Sequence, residues 1–177
     1  ETFIPDVYAG LAAKASRREH LRSVPIVRFG KEGEDFPSID VDDYQLMRQV
    51  IQHLVEDHDC RRIAFAGYID IHIGFRERHR AYVDVLQEHD LVVDEALFCN
   101  AWGLDKVTAW LEGVDLSKLD AVVGANDGMA LQVQQLLQAR DVRVPQDVAV
   151  AGNDDTAVAS TATPSLTTMR LPFREMG

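Results

Sequence analysis

Three short runs in this chain are apolar at consecutive positions rather than alternate ones: Arg62 to Gly67 (RIAFAG), Ala121-Val122-Val123, and Val148-Ala149-Val150-Ala151. Strands of that composition are buried on both faces, as in a parallel sheet covered by helices. The stretches between them carry helical periodicity. Tyr44, Met47, Val50, Ile51, Leu54 and Val55 recur at three and four residues, with Asp42 or Asp43 as the N-cap. Phe75, Tyr82, Val83 and Leu86 form a second apolar face, Val107, Trp110 and Leu111 a third, and Met129, Ala130, Val133, Leu136 and Leu137 a fourth. Further strands are expected at Val24–Phe29, closed by Gly30, and within Leu91–Phe98. Lys31 to Ser38, with Gly33 and Pro37, reads as a loop. Ser165–Met169 reads as extended and Pro172–Gly177 as a helix start. Alternating strands and helices define an α/β fold with a parallel, doubly wound sheet.

Charge narrows the function. Eighteen Lys+Arg against 29 Asp+Glu leave a formal charge of −11. Nucleic acid is held through a basic footprint, so this chain is not expected to bind DNA by itself. No apolar run approaches the ~18 residues of a membrane span. Two cysteines, Cys60 and Cys99, do not make a disulfide framework and read as reduced thiols of a cytoplasmic protein. The chain opens on Glu1 rather than Met, which reads as a fragment or a processed protein.

Ligands of open parallel sheets bind beyond the carboxyl ends of the strands. Those ends supply the loop Tyr68 to Gly74 with Arg76, Arg78 and Arg80 behind it, Asn100 and Trp102, Asn126 and Asp127, and Asn153, Asp154 and Asp155. A carboxylate and an amide can each bridge neighbouring hydroxyls, Arg donates in a fixed fork, and Trp offers an apolar plane to a ring. The set fits a small, hydroxyl-rich ligand. Taken singly, each acid or amide is equally at home as a helix N-cap, Trp102 as packing, and the arginines as a solvated face.

Other chemistries lack their motifs. There is no GxGxxG after a strand, no GxxxxGK[ST] and no GxSxG. A receiver-type phosphoacceptor lacks its acid cluster and late Lys. His53 and His58 are five apart, which does not place two ligands on one α-helical face, so no metal site is assigned. No cofactor and no catalytic residue is expected.

Several segments follow one another in a known order: VPIVRFG, SIDVDDYQLMRQVIQHLVEDHDCRRIAFAGY, DAVVGANDGMAL, VRVPQDVAVAGNDDTAVAS and PSLTTMRLPFREMG. Over about residues 24–177 this resembles the effector-binding domain of the LacI/GalR family, which shares the two-lobed periplasmic-binding-protein fold. The resemblance implies ligand roles for Arg78, from the family's R-x-x-[GA]-[FYW] motif, and for Trp102, Asn126 of the AND motif and Asp154 of the GxDD motif. It implies a fifth position near Asp43, at the polar start of a lobe 1 helix. It also implies residues 1–58 as part of lobe 1, 59–165 as lobe 2 and 166–177 as the return to lobe 1, with lobe 1 incomplete. Two departures stand out. Leu171 occupies a place where sugar-binding members often carry a polar residue, and the usual Gly-His before RIAF reads Asp57-His58-Asp59-Cys60.

The function implied is a non-enzymatic sensor, dimeric and cytoplasmic. It takes a sugar-like effector between its lobes, and hinge closure is read by an output domain. In a LacI-type transcriptional regulator that output is a DNA-binding domain outside this chain. The same module fused to a diguanylate cyclase or a histidine kinase, or a solute-binding protein, are the alternatives.

Overall fold

The computed structural model describes residues 27–29, 37–172 and 176. The chain divides into two compact units, Glu1–Asp40 and Val41–Gly177. In the first, β1 (Arg28–Phe29) and β2 (Ser38–Ile39) pair in parallel, Arg28 opposite Ser38. Ser38, read as the end of a loop, is thus a strand residue. Its partner lies across the loop, and a two-residue strand leaves no periodicity to read. Residues 24–26 of the expected first strand lie outside the described residues.

The second unit is built on β3 (Ile63–Ala66), β4 (Phe98–Cys99), β5 (Ala121–Gly124) and β6 (Ala149–Ala151), ordered β4-β3-β5-β6 and parallel throughout. Its helices are α1 (Asp43–Gln52), α2 (Ile73–Glu88), α3 (Leu104–Glu112), α4 (Asp127–Gln138) and the short α5 (Ala157–Thr161). Both faces of the sheet are covered. Ile63, Phe65, Ala121 and Val123 pack with Met47, Val50 and Ile51 of α1 and Tyr82, Val85 and Leu86 of α2. Ala64, Ala66 and Val122 pack on the other side with Val107 and Leu111 of α3 and Ala130, Val133 and Leu137 of α4. Consecutive apolar residues are therefore divided between two cores, as the sequence pattern requires. Gly124 lets α4 approach closely, since a Cβ there would lie 2.4 Å from the Ala130 nitrogen.

Two elements differ from expectation. The stretch Leu91–Phe98 yields strand only at its end. Asp94 accepts the Ala96 N–H at 3.0 Å and winds Glu95–Leu97 into a 3₁₀ turn instead. Helix α1 ends in a π-helical turn, His53–Asp57. The apolar face of α1 is buried against α2 and β3, within the second unit. The segment that follows Ser165 runs beside β6. Gly152 N–H donates to Thr167 O at 2.8 Å and Asp154 N–H to Met169 O at 2.9 Å, extending the sheet beside β6. Most of the helix expected over Pro172–Gly177 lies outside the described residues. The Met176 N–H donating to Pro172 O at 3.1 Å is one helical bond of it.

A candidate ligand-binding rim at the carboxyl ends of the strands

From β3 the chain crosses to β4 on one side, and the next strand, β5, lies on the other side of β3. The carboxyl ends of β3 and β5 are thus the switch point of the sheet, where open α/β folds bind ligands. Arg78, in the second turn of α2, reaches this point. Its Nη1 donates to Ala125 O, just past β5, at 2.6 Å. The same nitrogen lies 3.0 Å from Asp154 Oδ1, beyond β6. Nε and Nη2 meet Asp43 Oδ1 at 2.8 and 2.6 Å. The guanidinium is 5.5 Å from the centre of the Phe75 ring. Arg78 is buried, whereas Arg80 is exposed, pairs with Glu77 and lies over Tyr44. Of the three arginines only Arg78 turns inward.

Asp43 is free to meet Arg78 because Asp42 is the N-cap of α1, accepting the Gln45 N–H at 3.0 Å. Asp43 is itself buried, and Gly74 makes room for it, since a Cβ there would fall 2.4 Å from Asp43 Oδ2. Asp43 therefore holds the guanidinium from behind.

Asp154 does not cap a helix. The N-cap of α5 is Thr156. Asp154 has φ +123°, a conformation that L-residues seldom adopt, and Asp155 follows at +51°. Backbone in these regions is held only by its surroundings. Here the bond to Met169 O and the Arg78 contact fix it, and Asn153 Nδ2 donates to Asp154 Oδ1 at 3.1 Å. Burial pushes the Asp154 carboxyl above its ordinary value against the pull of Arg78.

Asn126 is a helix cap. Its Oδ1 accepts the Met129 N–H at 2.8 Å at the start of α4. The cap uses only the oxygen, so the amide NH₂ is still a donor. Trp102, three residues past β4 on the same rim, is 55% exposed, so packing does not explain it. Among the described residues it has no ring or hydrogen-bond contact with the Arg78 cluster. The structure thus brings Arg78, Asp43 and Asp154 together, puts Asn126 next to the carbonyl Arg78 grips, and leaves Trp102 on the rim apart from them.

Asp127, also a rim residue by sequence, is fully buried. It accepts Thr156 N–H and Oγ1–H at 2.7 and 2.8 Å, and the Thr168 hydroxyl on its other oxygen. It ties α4 to the loop before α5 and to the strand-like segment of the LTTMR stretch. Phe75, Asn153 and Thr168 were not singled out from sequence as binding or positioning residues. Their partners are 1 to 41 positions away, and only Asn153 was visible, as a strand-end amide.

A parallel sheet with polar side chains gathered at its switch point defines a ligand-binding lobe of the periplasmic-binding type. The model of the periplasmic binding protein-like domain matches residues 51–177, and the chain belongs to that family, in the form found as the effector-binding domain of LacI-type regulators. The chain is 35% identical over 151 residues to the HTH-type transcriptional regulator CelR of Thermobifida fusca, a match covering 84% of this chain and 44% of the relative. It is 35% identical over 105 residues to the HTH-type transcriptional regulator AscG of Escherichia coli, covering 56% of this chain and 31% of the relative. The structure of a LacI-family regulator from Lactobacillus casei with bound glucose superposes with a TM-score of 0.71 at 29% identity, over 85% of this chain and 58% of that one. The chain spans about a third to a half of the curated relatives it matches. Those relatives are regulators rather than enzymes, in line with the sensor reading.

Proposed function

We propose that this chain is the effector-sensing part of a LacI-type transcriptional regulator, and that its effector is a small hydroxyl-rich molecule of the sugar class. The observation that carries this is the Arg78–Asp154 pair at the switch point, with Asp154 held in strained backbone by three separate contacts. A carboxylate fixed in this way presents acceptors to neighbouring hydroxyls without loss of side-chain freedom on binding. Asn126 supplies amide donors and Trp102 an apolar plane. Arg78 orients Asp154, and Asp43 positions Arg78. The glucose and sucrose found in the two Lactobacillus casei regulator structures support the ligand class.

The signal is closure of the two-lobed sensor, read by a DNA-binding domain in a cytoplasmic homodimer. For this the effector needs only a higher affinity for the closed state than for the open one. Thermal unfolding against a panel of mono- and disaccharides tests the proposal. At least one sugar is expected to raise the Tm with concentration. A panel that leaves the Tm unmoved, with nucleosides or amino acids raising it instead, contradicts the sugar class.

A further inference from the structure

At the opposite end of the sheet from the rim, the π-helical turn His53–Asp57 changes what a spacing of five residues means. A π turn closes i to i+5 bonds, and such turns recur at functional sites. His58 ends this turn, and its Nε2 faces His53 Nε2 at 3.1 Å, with the rings near perpendicular at 88°. The two imidazoles therefore share a face despite their five-residue spacing.

The geometry points to a transition-metal site of the zinc class, with His53 and His58 as its two protein ligands and Asp57 as the group that orients His53. Zn–N bonds of about 2.0–2.1 Å place two ligating nitrogens roughly 2.9 Å apart at a right angle and about 3.3 Å apart at the tetrahedral angle. The observed 3.1 Å lies between these. Asp57 Oδ2 is 2.7 Å from His53 Nδ1, so the carboxylate accepts the Nδ1–H hydrogen bond and the lone pair is on Nε2. This is the carboxylate–histidine arrangement that fixes metal-ligating imidazoles. His58 then gives up at most one proton when the ion enters.

Both histidines line a concavity of about 460 Å³ at the amino ends of the strands, together with Asp59, Asp120, Asp147 and Gln134. Asp59 and Asp147 pair with Arg61 and Arg143, and Asp120 accepts two backbone N–H groups. Gln134 is buried with its Oε1 unpartnered. Among the described residues, no cluster of three or more His, Cys, Asp or Glu is arranged to hold a metal. The remaining coordination positions are filled by water, which the concavity has room for. Oxygen-preferring ions such as Mg²⁺ are not suited to an imidazole pair.

Calorimetric titration of tag-free protein with Zn²⁺, and separately with Mg²⁺, tests the site. One Zn²⁺ per chain and no Mg²⁺ uptake are expected. Either His53→Ala or His58→Ala should weaken Zn²⁺ at least tenfold, and Asp57→Ala by roughly 10–100-fold. Zn²⁺ should raise the Tm of the parent and not that of the His53→Ala/His58→Ala double variant, in which one half-buried and one exposed side chain outside the apolar core are lost. Superimposable Zn²⁺ titrations of parent and double variant would overturn the site. So would binding that survives the double variant but is lost in Cys60→Ala.

Discussion

Asp154 combines two features that usually oppose stability, a positive φ and a carboxyl pushed up by burial. Relieving the backbone should therefore stabilise the chain. Asp154→Gly is expected to raise the unfolding free energy by about 1 kcal/mol, the low end for one strained residue, while weakening effector binding. Chemical denaturation read beside a ligand titration checks both halves. The pH sign follows from the raised carboxyl. In a window just above the ordinary carboxylate value the folded chain binds the proton more readily than the unfolded one, so Asp154 costs stability as pH rises through it. The two thiols behave differently. Burial pushes Cys99 up to about 11 and also raises Cys60. Both should react with a thiol reagent near neutral pH far more slowly in the native protein than after unfolding, and a fast native phase would contradict their burial.

Elements are held together here by single buried side chains, and the ordering of their costs is a test. Removing Asp127 strands the Thr156 N–H and two hydroxyls, so Asp127→Ala should cost about 3 kcal/mol. Asn126→Ala, which removes one cap bond, should cost about 1 kcal/mol. Equilibrium denaturation of the two variants measures both. His79 stacks on Phe98 with ring centres 4.1 Å apart, and burial lowers its pKa. The unfolded chain then binds that proton first, so stability contributed by neutral His79 is present above about pH 6.5 and is lost as pH falls below it. His79→Phe should flatten the decline in Tm between about pH 7 and pH 5. The elements legible in the sequence were those whose signal is local. The consecutive apolar runs announced β3, β5 and β6, and three- and four-residue spacing announced α1 to α4. The π turn was not legible, because its residues continue the α-helical pattern of α1. The two-residue strand β2 was hidden as well, since its pairing rests on a partner distant in sequence, and of the strand expected within Leu91–Phe98 only the end, β4, forms. At the rim, Arg78, Asn126 and Asp154 stood out as strand-end polar residues. The roles of Asp43 and Asp127 depended on who faces them across 35 and 29 to 41 positions, which no local pattern carries.

At the scale of the chain, a formal charge of −11 opposes phosphate binding. This chain alone should show no salt-sensitive affinity for duplex DNA in an anisotropy titration at low salt, and tight binding would contradict a pure sensor. The alternating strands also predicted the parallel sheet. The account rests on the rim being a binding site rather than a set of structural contacts. Calorimetric titration of the sugar that raises the Tm, on the parent chain and on Asp154→Ala, separates the two most directly. The account predicts affinity lower by about tenfold to a hundredfold, the ~1.5–3 kcal/mol of a charged hydrogen bond, with a melting temperature no lower than the parent's. Unchanged affinity together with a lowered melting temperature would contradict it.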